Sequence, residues 1–178
     1  MTIDIFIPFW GDPEYFQATV RSVLAQDEPD WRLTVDSTAG SFYTTDESRL
    51  LTQDETALLA ELDDLVPNDA VIATDPWNGS SLAYALSGVR TTNTHTLAYV
   101  SPAEELIDQH LDEVATDPEV CSAVDELGVQ YALDFGDQQI NDSDKPMGGF
   151  DHLDSAPGLE LVTEQGDARL YRVVACGD

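Results

Sequence analysis

Residues 69–88 read Asp-Ala-Val-Ile-Ala-Thr-Asp-Pro-Trp-Asn-Gly-Ser-Ser-Leu-Ala-Tyr-Ala-Leu-Ser-Gly, and no other stretch constrains the fold as much. Residues 70–74 are a short apolar run with β-branched members, the pattern of a buried strand. Asp75-Pro76 stops it, because proline cannot donate to a ladder and holds the residue before it in an extended or turn conformation. Ser80 or Ser81 is placed to cap a helix carrying Leu82 to Leu86, and Gly88 is placed to end it. A strand, a tight polar loop and a helix start are the repeating unit of an α/β fold. The loop falls at the carboxyl end of the strand, where open α/β sheets place ligands. The simpler role for Asn78 and the serines is to satisfy orphan N–H groups of that helix.

The rest of the chain repeats the unit. Strands are expected at about 3–7, 31–35, 70–74, 96–100, 129–134, 159–164 and 168–174. Helices are expected at 13–24, from a Thr52-Glu55 capping box to residue 65, at 102–115 and at 118–127. Residues 37–53 change to Ser, Thr, Gly and Tyr, as in an irregular loop, and the polar stretch 136–149 reads as a mobile one. Gln165-Gly166-Asp167 is hairpin chemistry between the last two strands. The expected fold is a three-layer Rossmann-like α/β sandwich, its central sheet mainly parallel with an antiparallel C-terminal hairpin.

Charge excludes partners. Asp and Glu number 35 against 7 Lys and Arg, a formal net charge of −28. Such a surface repels nucleic acid and anionic head groups, and suits a high-salt or cell-surface setting. A hydrophobic fraction of 42% supports a folded core. No apolar run is long enough to span a bilayer and no basic segment precedes an apolar one, so the chain as written reads as cytoplasmic. Cys121 and Cys176 lack metal-site spacing, which leaves one long-range disulfide or two buried thiols. We expect them to be close in space, with the bond forming on export or oxidation.

Ile7-Pro8-Phe9-Trp10, Tyr15-Phe16, Arg21 to Gln26 and Trp31 to Val35 resemble the opening β-α-β unit of a family 2, GT-A type glycosyltransferase. The resemblance covers residues 1–36. It implies a nucleotide-sugar site formed by Pro8, Phe9, Trp10 and Asp36, with manganese or magnesium as the cofactor. No Asp-x-Asp metal motif and no catalytic-base motif follow it, so no catalytic residue and no metal ligand is assigned.

Residues from about 45 to 178 carry a second resemblance, through Val66-Pro67, Asp69 to Ile72, Pro76 to Gly79, His95, Val120-Cys121, Leu127 to Tyr131 and Leu170 to Val173. They are similar to the C-terminal extracytoplasmic domain of actinobacterial polytopic membrane proteins linked to cell-envelope carbohydrate assembly. That implies an extracytoplasmic ectodomain whose parent family is membrane-embedded, although this chain shows no membrane segment. Residues 1–36 and 37–178 would then be two joined pieces, packed as one globule.

The catalytic inventory is thin. His110 lies in an acidic helix, His152 stands beside Asp151 and Asp154, and the Asp142-Ser-Asp144 pair lacks calcium-loop spacing. There is no nucleophile elbow, phosphate loop or zinc motif. Trp77, Asn78 and His95 are the candidate carbohydrate contacts, since an aromatic face beside hydrogen-bonding groups suits a pyranose ring. A small ligand is expected beside Phe9, Trp10, Trp77, Asn78 and His95. Two readings follow: a non-catalytic or remnant α/β domain of envelope glycosylation that binds a carbohydrate or nucleotide-sugar, or a family 2 glycosyltransferase.

Overall fold

The computed structural model describes residues 3–8, 21, 31–36, 51–97, 99–140 and 145–176. The helix expected at 13–24 (Arg21 apart), the turn holding Phe9 and Trp10, and the irregular stretch from 37 to 50 lie outside the described residues. The chain divides into two compact units, Met1–Arg49 and Leu50–Asp178. In the first, β1 (Ile3–Pro8) and β2 (Trp31–Asp36) pair in parallel, in register from Ile3 opposite Trp31 to Pro8 opposite Asp36. Parallel pairing is what a β-α-β unit requires.

The second unit begins with α1 (Gln53–Leu65). Its capping box forms as expected: Glu55 N–H donates to Thr52 Oγ1 at 3.2 Å, and Thr52 N–H donates to Glu55 Oε2 at 2.6 Å. Leu58, Leu59 and Leu62 recur at helical spacing and are buried. Pro67 follows, and the chain enters β3 (Val71–Ala73), buried along its length. A 3₁₀ turn (Gly79–Leu82) and α2 (Ala83–Ser87) come next. Gly88 closes α2 with φ 73°, a left-handed conformation that glycine adopts without a Cβ penalty.

Two departures from expectation occur here. The cap belongs to Asn78 rather than to the serines: its side chain accepts from Ser80 N–H. The strand expected at 96–100 is not formed. Leu97 N–H donates to His95 Nδ1 at 2.9 Å, a local side-chain bond that competes with any ladder, and Leu97 and Tyr99 are exposed. The strand beside β3 is instead β4 (Arg90–Thr91).

A second capping box, Ser101 with Glu104, opens α3 (Pro102–His110). This helix is shorter than expected and passes into a 3₁₀ turn at Leu111–Glu113. Asp117 caps α4 (Pro118–Leu127), and Gly128 ends it at φ 68°. The chain finishes with β5 (Val129–Asp134), a 3₁₀ turn (Gly148–Phe150), β6 (Leu159–Gln165) and β7 (Ala168–Val173). The sheet order is β4-β3-β5-β7-β6. β4, β3 and β5 run parallel, while β7 and β6 form the expected antiparallel hairpin.

Alternation along the strands divides the core in two. Val71, Ala73, Val129, Ala132 and Tyr171 pack under Ile107, Val120 and Val124 of α3 and α4. Ile72, Leu133, Ala168 and Leu170 pack under Leu58, Leu59 and Leu62 of α1 and Ala83 of α2. The second unit is thus a three-layer α/β sandwich. Each fully buried leucine or isoleucine contributes about 1.5–3 kcal/mol to it.

Cys121 and Cys176 form a disulfide with Cα atoms 5.6 Å apart, spanning 55 residues. Because β7 runs antiparallel to β5, its carboxyl end lies at the amino end of β5. The bond therefore staples the sheet edge opposite the carboxyl ends of β3 and β5. A disulfide is the chemistry of an oxidising compartment, and the expected cytoplasmic setting finds no support. No helix among the described residues is long and apolar enough to cross a membrane.

Candidate functional site

Two parallel strands, β3 and β5, end side by side, so the loops that leave them share one edge. Thr74, Asp75, Asn78, Ser80 and Ser81 of the first loop are all buried, as are Asn93 and Asp108 nearby. Buried polar atoms must find partners. Asp75 Oδ1 accepts from Trp77 N–H at 2.7 Å, and Oδ2 accepts from Asn78 Nδ2 at 3.3 Å. Asn78 Nδ2 also donates to the Gly136 carbonyl beyond β5, at 3.3 Å. Ser80 Oγ accepts from Asp75 N–H, and Ser81 Oγ donates to the Asn78 carbonyl.

A second set of bonds ties this loop to α3. Thr74 Oγ1 donates to the Asn93 carbonyl at 2.8 Å. Asn93 Nδ2 donates both to the Thr74 carbonyl and to Asp108 Oδ1, the latter at 2.8 Å. Burial raises both acids, since an ion loses its water there. Asp75 is pushed up to about 6: burial dominates, the Trp77 N–H opposes it, and Asp151 adds to it. Asp108 is pushed up to about 7: burial dominates, Asn93 opposes it, and Asp75, Glu104 and Glu105 add to it. Asp134, at the end of β5, is also raised by burial, against the Gly136 N–H and Arg169.

Asp75 forms part of the wall of a cleft of about 270 Å³, with Asp137, Gln139, Lys145, Phe150 and Asp151 around it. The stretch 136–147 is pinned over the loop at several points. Ile140 N–H donates to the Trp77 carbonyl at 2.8 Å. The Gln139 amide donates to the Lys145 carbonyl and accepts from the Lys145 N–H, at 2.7 and 2.9 Å. Gln109 of α3 donates to the Pro146 carbonyl at 2.9 Å. Lys145, the only lysine in the sequence, holds its ammonium 5.4 Å from the centre of the Trp77 ring, a cation–π contact. Gly149 fits tightly against α3: a Cβ there would lie 2.2 Å from the Ile107 carbonyl oxygen.

The sequence-derived candidates fare differently. Trp77 and Asn78 stand together at this edge, Asn78 with both ends of its amide engaged inside the loop. His95 is exposed, two residues beyond Asn93, and bonds its own turn. Pro8 and Asp36 face one another in register at the carboxyl ends of β1 and β2. Phe9 and Trp10 lie outside the described residues. Sequence reading passed over Asp75, which served there only to stop a strand, and also Asn93, Asp108, Gln139 and Lys145. Their signal was available in part: an Asp followed three residues later by Asn, just after a buried strand, is a self-bonding turn.

A second cleft, of about 350 Å³, lies beside the disulfide, lined by Val114, Asp117, Pro118, Cys121, Asp125 and Ala175 among others. Asp117 is spent there on capping, accepting from Glu119 N–H at 2.8 Å. The edge holding Asp75 has the buried polar groups.

The model of a family of unknown function (DUF6541) matches residues 16–175. No curated protein matches the chain. Among solved structures, the crystal structure of the C-terminal globular domain of an oligosaccharyltransferase from Archaeoglobus fulgidus is similar at 11% identity and a TM-score of 0.46. The similarity covers 69% of this chain and 98% of that one.

Proposed function

The chain belongs to this family of unknown function (DUF6541), and from that premise we propose that it is a non-catalytic α/β domain that binds a carbohydrate in the cleft beside Asp75. One observation carries the reading: hydrogen-bonding groups of Asp75, Asp137, Gln139 and Asp151 surround a cleft that also has Phe150 and Met147 in its wall. Carboxylates and an amide take the hydroxyl hydrogens of a sugar, while a ring and a thioether meet its C–H face. A volume of about 270 Å³ suits a single sugar unit better than a nucleotide-sugar. Three carboxylates against one ammonium also oppose a diphosphate. The envelope setting rests on the resemblance of residues 45–178 and on the disulfide, which belongs to an oxidising compartment.

The test is a titration with a panel of neutral and amino sugars, read by amide chemical shifts. Shifts should concentrate at Gly136, Gln139, Phe150 and Asp151, and Phe150→Ala should weaken binding about tenfold or more. A panel that moves nothing in the cleft at millimolar sugar sinks the reading.

A second reading is favoured by the register of the first unit. Pro8 and Asp36 stand opposite one another at the carboxyl ends of two parallel strands, where a nucleotide would be held in a family 2 glycosyltransferase. Uridine or guanosine diphosphate with manganese is the probe. Saturable binding lost in Asp36→Ala supports it, and its absence leaves the carbohydrate reading alone.

A further inference from the structure

Two carboxyl groups in this molecule are built in the same way. Asp75 and Asp108 are exposed by only 4% and 6%, and each is held by an asparagine amide whose other hydrogen goes to the main chain. Asn78 joins Asp75 to the Gly136 carbonyl, and Asn93 joins Asp108 to the Thr74 carbonyl. Thr74 precedes Asp75 directly, so one polar chain runs from α3 through β3 to the end of β5. Among the described residues neither acid has an ion pair.

The charges that face them are nearly all of one sign. Asp75 meets Asp151 from beyond the 148–150 turn and Asp108 from α3, with Asp137 and Lys145 around the same cleft. Asp108 meets Asp75 from the loop, and Glu104 and Glu105 from its own helix. The ammonium of Lys145 is over the Trp77 ring.

We propose that Asp75 and Asp108 form a proton-operated latch on the floor of the cleft. With both carboxyls protonated, the 74–80 loop and the Asn93 turn are clamped to α3. Ionisation puts negative charge on both acids, against Asp137 and Asp151 on one side and Glu104 and Glu105 on the other. The loop and the 145–151 segment then separate, and Lys145 leaves the Trp77 ring for the new carboxylate. The positions to which burial pushes the two acids, about 6 and about 7, place this exchange near neutral pH. Because each charge opposes the other, the pair ionises in two linked steps.

This inference names what controls the cleft of the carbohydrate reading. Its test uses no sugar, so failure here and failure of sugar binding are separate results. The intact chain, labelled with carbon-13, is titrated from pH 4 to 9 by carboxyl-detected NMR. Two aspartate carboxyls should titrate above pH 5. Since the chain has a single lysine, its Cε–H₂ signals are unambiguous, and the Trp77 ring shields them. Those signals should move with the midpoint of Asp75, far below the ionisation of lysine itself near 10.4. Asp108→Asn should shift the Asp75 midpoint downward, and Asp75→Asn should abolish the lysine response below pH 8. The proposal is overturned if every aspartate carboxyl titrates below pH 5, or if the lysine signals move only with the ammonium's own ionisation. Should the Asn variants fail to fold, coincidence of the lysine and carboxyl midpoints in the unsubstituted chain decides the matter: shared midpoints support the latch and separate ones refute it.

Discussion

The two edges of the five-stranded sheet are closed by opposite means. At one, the Cys121–Cys176 bond and apolar contacts do the work, and Gly158 fits so tightly that a Cβ there would lie 2.4 Å from Ala175 Cβ. At the other, Asp75, Asn78, Asn93 and Asp108 are buried and held by hydrogen bonds. An apolar, covalently tied edge has nothing to titrate. A polar edge with raised carboxyls changes with pH, and it is the edge that can recognise a ligand. Stability and recognition have been placed at opposite ends of the same strands.

The largest expected effect tests the stapled edge. Opening a 55-residue loop should lower stability by about 4 kcal/mol in the chain-entropy model. Denaturant melts of Cys121→Ser/Cys176→Ser against the parent should show that loss by similar amounts at pH 5 and pH 8. A loss confined to one pH would mean that the edges are not independent.

Next comes the polar edge. Asp108 is raised to about 7 in the folded chain, above its unfolded value near 3.9. Its stabilising contribution is therefore full below pH 4 and is lost as pH rises through 7. Between pH 5 and 8 this loss is roughly 2–3 kcal/mol. Surface repulsion among the many acids slopes the same way, so the discriminating measurement is the difference: Asp108→Asn should be flatter than the parent over that window. Equal slopes would remove Asp108 from the account.

A smaller effect is expected from Gly149→Ala. The added methyl must displace the 148–150 turn from the main chain of α3, costing roughly 1–3 kcal/mol and shifting the Phe150 and Asp151 amide signals. The smallest is at the caps: Thr52→Ala and Ser101→Ala should each lose about 1 kcal/mol in thermal melts, without altering the cleft.

The legible parts of the sequence were those governed by local rules. Both capping-box residues of α1, the hairpin at Gln165-Gly166-Asp167, the buried run of β3 and the Gly88 stop depend on neighbours a few residues away. The strand expected at 96–100 failed because Thr96 to Val100 has strand composition, yet His95 satisfies the local N–H and Pro102 starts a helix at once. The candidate site was half visible. Trp77 and Asn78 sit within one loop. Their partners Asn93, Asp108, Gly136 and Lys145 arrive from three other parts of the chain, and no periodicity announces which of 35 acids will be buried.

The staple between Cys121 and Cys176 has a mechanical consequence. A pull applied to the second unit through the chain beyond Cys176 would pass across the sulfur–sulfur bond directly into α4. β5, β6 and β7, enclosed between the two cysteines, would carry none of the load. Stretching the oxidised domain would thus fall short of the reduced one by the 55 enclosed residues, roughly 190 Å of contour.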